Sequence, residues 1–177
     1  MPAAISPLLS FVESGMVCAE IGVQEAKSSV LLLEQDIKLL YAIDPWAPSP
    51  YYLEGKFCLG DFPVWEARAM ARLKPYINAG RVIVLKMGST QGAGEIAAQS
   101  LDFAFIDGNH TFSYVTTDIQ NYWIRVKPGG ILSGHDYVPS AGREHIQVKE
   151  AVDTWIKTRP NLKLEKHGDC WMIRKPL

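Results

Sequence analysis

The stretch LDFAFIDGNHTFSYVTTDIQNYWIRVKPGGILSGHDY, residues 101–137, contains one complete strand–helix–strand pattern. Leu101 to Ile106 is an apolar run that ends at Asp107, and Ile131 to Gly134 is a second apolar run. Between the two runs, apolar residues recur at helical spacing. Two short apolar runs joined by an amphipathic helix are typical of neighbouring parallel strands in an α/β sheet.

The same alternation continues on both sides of this stretch. The predicted strands are Met16–Ile21, Leu39–Ile43, Val82–Leu85, Leu101–Ile106 and Ile131–Gly134, with closing strands near Leu162–Glu165 and Cys170–Arg174. The predicted helices are Lys27–Gln35, a helix from the N-cap Asp61 to about Pro75, Val115–Trp123 and Val148–Ile156. The last two strands are joined only by His167-Gly168-Asp169. The sequence therefore predicts a doubly wound, mostly parallel Rossmann-like sheet with an antiparallel C-terminal edge hairpin and helices on both faces.

Length and composition limit the classes of protein to consider. A chain of 177 residues predicts a single domain, 1–177, and its net charge of −1 without a Lys/Arg block disfavours nucleic acid as a partner. Three cysteines without a CxxC pair argue against a disulfide scaffold or a zinc site and fit a reducing cytoplasm. The N-terminus lacks the basic start of a signal peptide, and no apolar run reaches the roughly 20 residues of a membrane helix. We therefore expect a soluble cytoplasmic protein.

Acidic and glycine residues stand where the first two strands end. Glu20-Ile21-Gly22 closes the first strand, and Asp44 follows the second strand, 22 positions after Gly22. In a doubly wound sheet this first turn lies where ligands bind, and an acid at the next strand end can bind the two ribose hydroxyls. The placement predicts a cofactor that contains adenosine, either NAD or S-adenosylmethionine (SAM).

Two features favour SAM over NAD. The GxGxxG fingerprint is missing, because Gly22 is followed by Val23-Gln24-Glu25-Ala26, and Glu25 would bring negative charge close to a pyrophosphate. The Glu20 carboxylate, by contrast, suits the cationic part of a ligand. A sulfonium cofactor without phosphates fits this turn better.

Three stretches carry a resemblance to a known family. EIGVQEAKSS (20–29) and YAIDPW (41–46) resemble the first two motifs of class I (Rossmann-fold) SAM-dependent methyltransferases. Residues 101–137 resemble small O-methyltransferase-like proteins with an IDGxHxYxxVxxD…W…KPGGxxxGHDY pattern, related to macrolide and aminocoumarin sugar O-methyltransferases. The resemblance extends roughly from Val17 to Trp155. It implies that the cofactor is surrounded by Glu20, Gly22, Asp44, Gly88, Ser89 and Asp107.

The same resemblance also indicates where parts of the cofactor lie and where this chain departs from the family. It places Gly88-Ser89 near the adenine. Gly88 stands where many relatives have an acid, and Ala26 replaces the usual second glycine of the first motif. Asn109 stands where antibiotic-sugar enzymes have aspartate.

Polar side chains close the fourth and fifth strands. Asp107 follows one strand and His135-Asp136 the other, and the tips of adjacent strands lie about 4.8 Å apart. These groups can bind a divalent cation or act as acid and base. In related metal-dependent O-methyltransferases the matching positions hold magnesium, which implies a metal site at Asp107, His135 and Asp136. In the alternative without a metal, His110 or His135 takes the proton directly, with His110 as the candidate base and Asp107 and Asp136 as orienting carboxylates.

The sequence thus predicts O-methylation of a hydroxyl on a small molecule, a sugar or a glycan. A nicotinamide-dependent oxidoreductase and a non-catalytic cofactor-binding protein are the alternatives, the latter because only about 15 residues precede the first strand. We expect no nucleic-acid or membrane partner, and a homodimer is allowed. The long aromatic loop from Pro45 to Gly60 is predicted to be a lid, whereas Asp118 is interpreted as a solvated or packing acid.

Overall fold

The structure is a computed structural model that describes residues 3–48, 61–142 and 144–177. Its strands are β1 (Val17–Ile21), β2 (Leu39–Ile43), β3 (Val82–Leu85), β4 (Leu101–Ile106), β5 (Val126–Gly134), β6 (Leu164–His167) and β7 (Cys170–Arg174). Its helices are α1 (Lys27–Glu34), α2 (Phe62–Asn78), α3 (Ser89–Gly94), α4 (Phe112–Arg125) and α5 (Val148–Lys157), and a 3-10 helix (Ser6–Phe11) precedes β1.

The seven strands form one sheet in the order β3-β2-β1-β4-β5-β7-β6. Strands β1 to β5 pair in parallel, and β7 pairs antiparallel with both β5 and β6. The predicted mixed sheet with its C-terminal edge hairpin is confirmed. Because the direction of winding reverses between β1 and β4, the carboxyl ends of these two strands border the crevice in which such sheets bind ligands.

The core lies on both faces of the sheet, as alternation along the strands requires. In β4, Phe103 and Phe105 pack with α1, α2 and the 3-10 helix, whereas Ala104 and Ile106 pack with α4 and α5. All four of these side chains are buried. A central strand that is apolar on both faces is the pattern of a parallel sheet covered by two helical layers.

The fifth strand was predicted from Ile131, but β5 begins at Val126 and includes residues 127–130. The register between β4 and β5 shifts between Leu101 and Phe103, so the ladder absorbs an irregularity there. A Cβ on Gly130 would lie 3.0 Å from the Asp102 carbonyl oxygen. The glycine thus allows a close approach of two strands.

Other differences are smaller. The sequence did not predict α3 or the 3-10 helix, and α2 continues past Pro75 to Asn78. Strand β6 begins two residues later than expected. Most of the predicted lid lies outside the described residues, which include only its first four, 45–48. None of the helices in the described ranges is long and apolar enough to cross a membrane.

Candidate active site

Gly22 joins β1 to the following turn at a point where two backbones meet. Its φ is +92°, and a Cβ there would lie 2.2 Å from the Asp107 carbonyl oxygen. Its N–H donates to the Ile43 carbonyl at 2.9 Å. Glycine is needed here because the ends of β1, β2 and β4 converge. The sequence explained this glycine by the close approach of a ligand. The structure adds a second reason, which is the close approach of the Asp107 backbone.

Asp44, at the end of β2, holds the turn after β1 in place. Its Oδ2 accepts hydrogen bonds from the backbone N–H groups of Val23 and Gln24, both at 2.9 Å, and its Oδ1 accepts from Trp46 N–H at 2.7 Å. A carboxylate has about four acceptor positions. Asp44, which is predicted to bind the ribose, therefore also shapes the turn after β1. One of its acceptor positions remains for a further donor.

Glu20 is the buried acid at the floor of the site. Its side chain is 1% exposed, and one oxygen accepts a short hydrogen bond from the Ser29 hydroxyl. Burial raises the Glu20 pKa to about 8, the Ser29 hydrogen bond opposes this, and the negative charges of Asp107 and Asp44 raise it further. A cationic ligand group would stabilise the ionised carboxylate.

The negative charge that the sequence suggested at Glu25 is balanced by neighbouring cations. Its carboxylate contacts Lys27 Nζ at 3.1 Å, Arg68 Nη1 at 2.5 Å and Arg72 Nη1 at 3.6 Å. Hydrogen bonds from Arg68 and Lys27 lower the Glu25 pKa. The local charge is therefore positive, and the argument that Glu25 would repel a pyrophosphate does not hold. The argument from the missing GxGxxG is unaffected.

The end of β3 brings Gly88 and Ser89 to the same crevice, at the start of α3. The Tyr122 hydroxyl donates to the Ser89 carbonyl at 2.9 Å and so fixes this turn to α4. Asp118, one turn before Tyr122, is only 2% exposed. Of the two interpretations of Asp118, the solvated acid is wrong and the packing acid agrees with the structure, since Asp118 shares the buried face of α4 with Val115 and Tyr122.

A cluster of two carboxylates and one imidazole lies where β4 and β5 end. His110 Nε2 is 3.4 Å from Asp107 Oδ1 and 3.2 Å from Asp136 Oδ2, and the three potential ligand atoms all lie within 4.8 Å of one another. Backbone pairing of Ile106 with Gly134 makes the two strand ends adjacent, as expected. The cluster thus combines both predicted carboxylates with His110.

His135 lies further from this cluster. Its Nδ1 is 3.7 Å from Asp107 Oδ1 and 3.5 Å from Asp136 Oδ1. Among the described residues, the group whose geometry suits a metal ion contains His110 and not His135. His110 lies in the turn between β4 and α4, three residues after Asp107, whereas His135 directly follows β5.

The carboxylates make both imidazoles more basic. Burial lowers the His110 pKa, but the hydrogen bond to Asp107 and the charges of Asp107 and Asp136 outweigh it, so that the pKa is raised. A hydrogen bond to Asp136 is the main cause of the raised His135 pKa. Such a cluster can accept a proton or share its donors with a divalent cation.

A cavity of about 940 Å³ connects these features, a volume within the range of small-molecule sites. Its wall includes every residue predicted to contact the cofactor: Glu20, Gly22, Asp44, Gly88, Ser89 and Asp107. The wall also includes His110 and Asp136, together with the aromatic residues Phe62, Trp65 and Tyr114. Of the predicted site residues, His135 alone is not part of this lining within the described chain.

The fold and the cavity define a class of protein: a doubly wound α/β protein with a cofactor crevice at the carboxyl ends of β1, β2 and β4. A family model described as a methyltransferase domain matches residues 19–137, which is more than half of the chain. The chain belongs to this methyltransferase family. The predicted class I methyltransferase family, its Rossmann-like fold and SAM as the cofactor are thereby confirmed.

Solved structures share this fold at low sequence identity. A Streptococcus mutans protein described as a methyltransferase, in complex with S-adenosylhomocysteine (SAH), is 14% identical, with a TM-score of 0.67 and 99% of each chain covered. A Staphylococcus aureus protein described as a caffeoyl-CoA O-methyltransferase is 14% identical, with a TM-score of 0.65 and coverage of 90% of this chain and 76% of the other. A Clostridium thermocellum protein described as an rRNA methylase is 12% identical, with a TM-score of 0.68 and coverage of 99% and 98%. No curated protein matches the sequence.

Proposed function

We propose that this methyltransferase transfers the methyl group of SAM to a hydroxyl of a small molecule, a sugar or a glycan. The observation that carries the proposal is the position of the Asp107–His110–Asp136 cluster on the wall of the cavity that also contains Glu20 and Asp44. Cofactor-binding groups and proton-accepting groups thus share one cavity. Enzymes that methylate hydroxyls need both.

The charges along the strand ends support one orientation of the cofactor. The buried Glu20 carboxylate suits the ammonium of the methionine part, and Asp44 retains an acceptor for the ribose. In this orientation the sulfonium methyl would face Asp107 and His110. The acceptor would then enter from the side of Phe62, Trp65 and Tyr114, whose rings suit a flat or partly apolar molecule.

The reaction is an in-line displacement. The acceptor oxygen forms a bond to the methyl carbon while the carbon–sulfur bond breaks, and the electron pair stays on sulfur, which becomes a neutral thioether. The hydroxyl proton leaves to the His110 imidazole, and Asp107 and Asp136, whose oxygens lie 3.4 and 3.2 Å from its Nε2, stabilise the resulting imidazolium. Alignment of the three reacting atoms supplies much of the acceleration.

The same donor set also fits a divalent cation. Asp107, Asp136 and His110 would hold it, since carboxylates suit magnesium and manganese and imidazole is compatible with manganese. A bound cation would lower the pKa of the acceptor hydroxyl. The ligand set inferred from the resemblance contained His135, and the distances favour His110 in its place.

Chelation separates the two mechanisms. If a metal is required, EDTA abolishes turnover, and magnesium or manganese restores it. If His110 acts alone, EDTA leaves the rate unchanged. His110→Ala is a severe loss in both cases, whereas His167→Ala, a change on β6, leaves the rate near that of the wild type because His167 packs against Phe11, away from the cluster.

A screen with isotopically labelled SAM tests the acceptor class. Hydroxylated small molecules, sugars and glycans form one arm and ribosomal RNA the other, and mass spectrometry identifies the labelled product. Label on a hydroxyl oxygen supports the proposal, and label on RNA alone contradicts it. The net charge of −1 is the reason to expect no transfer to RNA. The absence of transfer to any acceptor, with SAH bound, would favour a non-catalytic protein.

A further inference from the structure

Helix α4 begins directly after His110, and its N-cap residue does not cap it. Thr111 is that N-cap, and its side chain makes no capping hydrogen bond to this fully described helix. The Thr111 hydroxyl and the Thr111 backbone N–H both donate to Asn109 Oδ1, each at 2.9 Å. The first N–H groups of an α-helix have no partner within the helix. An acceptor for the Phe112 N–H therefore has to come from outside α4.

Gln147, at the start of α5, supplies that acceptor. Its Oε1 accepts a hydrogen bond from the Phe112 N–H at 2.9 Å, and its own backbone N–H donates to the His110 carbonyl at 2.8 Å. Gln147 is also the N-cap of α5, yet its side chain does not cap α5, a helix that the structure describes in full. The Gln147 side chain thus stabilises the start of α4 and not that of its own helix.

The imidazole of His110 depends on this turn for its position. The Asp107 N–H donates to the Ile21 carbonyl at 2.7 Å, so the pairing of β1 with β4 extends to Asp107. His110 lies beyond that pairing, in the turn between β4 and α4. Its distances to the two carboxylates, 3.4 and 3.2 Å, lie at or beyond the upper end of the usual range for hydrogen bonds. A small displacement of the turn is therefore enough to break these contacts.

We propose that Gln147 is a positioning residue for the methyl transfer. It binds the backbone at His110 and again two residues later, and so holds the His110 imidazole against the two carboxylates of the cluster. Within the described ranges, the wall of the cavity does not include Gln147, so Gln147 acts through His110 and not on the acceptor or the cofactor. The inference rests on the role that the proposed function gives to His110. It applies equally whether His110 accepts the proton or helps to bind a cation.

The test compares Gln147→Leu with Gln147→Glu in labelled methyl transfer. Leucine has no acceptor for the Phe112 N–H, whereas glutamate keeps one. Gln147→Leu should lower kcat by roughly 10- to 100-fold, because a displacement of about 1 Å in a reacting group can cost that much. The acceptor KM and the affinity for SAH should stay unchanged, since neither molecule contacts Gln147. Gln147→Glu should restore most of the rate.

The NMR signals of the histidine rings report the position of His110 independently of turnover. In Gln147→Leu the His110 ring signals should shift, while those of His167, which packs against Phe11, should stay as in the wild type. Gln35→Leu is the matched control. It removes a glutamine hydrogen bond to the Leu31 carbonyl, and Gln35 is not on the described wall of the cavity. The rate and the His110 ring signals of this control should match the wild type.

The outcomes separate positioning from a general structural role. Either a wild-type kcat or unshifted His110 ring signals in Gln147→Leu overturns the inference. An equal loss of rate in Gln147→Glu, or a loss of SAH affinity as large as the loss of kcat, also overturns it, because both describe a general loosening of the fold. If the wild type transfers no methyl group, the proposed function has failed, and the ring signals alone then decide whether Gln147 holds His110.

Discussion

Replacing Gly22 by alanine should destabilise the protein far more than the same change at Gly80. Both glycines have a positive φ, +92° and +71°, in which a non-glycine residue costs about 1–2 kcal/mol. At Gly80 a Cβ would meet nothing within 4 Å, so only this backbone cost applies. At Gly22 the Cβ would lie 2.2 Å from the Asp107 carbonyl oxygen. Overpacking adds about 1–3 kcal/mol, giving a total of about 2–5 kcal/mol.

The free energy of unfolding, measured in urea for the two variants and the wild type, checks this arithmetic. Gly80→Ala isolates the cost of the dihedral angle, and the difference between the variants isolates the contact of β1 with the turn after β4. Losses that agree within about 0.5 kcal/mol would refute the reasoning. Binding of SAH should fall only in Gly22→Ala, because that contact also positions the cofactor turn.

Three further predictions follow from single residues. Because burial raises the pKa of Glu20 from the ordinary 4.5 to about 8 in the folded protein, the free energy of unfolding of the ligand-free protein should fall as pH rises from 4.5 to 8, and Glu20→Gln should remove that slope. Calorimetry should show that SAM binds more tightly as pH rises towards 8, by up to roughly tenfold per unit, and a pH-independent affinity would be the contrary result. Asp44→Ala should weaken SAH binding by about 1.5–3 kcal/mol, and an unchanged affinity for SAH would contradict this. Asp61→Ala should lower stability by about 0.5–2 kcal/mol, because its Oδ1 caps α2 by accepting from Val64 N–H, and an unchanged urea midpoint would contradict this.

Sequence patterns were sufficient where local signals define an element. The bounds of β2, β3, β4 and β7 agree with the sequence, because each is a short apolar run between turn residues. Helix α3, with the sequence STQGAG, has no apolar periodicity and was missed for that reason. Strand β5 begins earlier than the predicted Ile131, because Val126 pairs with Leu101 and the backbone groups of Gly129 and Gly130 hydrogen-bond to Lys175 beyond β7.

Some residues of the candidate site could also be predicted from the sequence, and others could not. Glu20, Gly22, Asp44 and Asp107 were predictable because each ends a strand, and strand ends meet at one edge of a parallel sheet. The choice of His110 over His135 depends on the direction of side chains after a turn, which sequence spacing does not give. The burial of Asp118 could have been predicted, because Asp118 lies one helical turn after the apolar residue Val115.

The most direct test of the central claim is the rate of labelled methyl transfer to an identified hydroxyl acceptor by the wild type, His110→Ala and His167→Ala. The account predicts that His110→Ala lowers kcat by roughly 100-fold or more while the affinity for SAH stays the same, because His110 acts on the acceptor and not on the cofactor. His167→Ala should match the wild type. A His110→Ala protein that transfers methyl groups at the wild-type rate would contradict the claim.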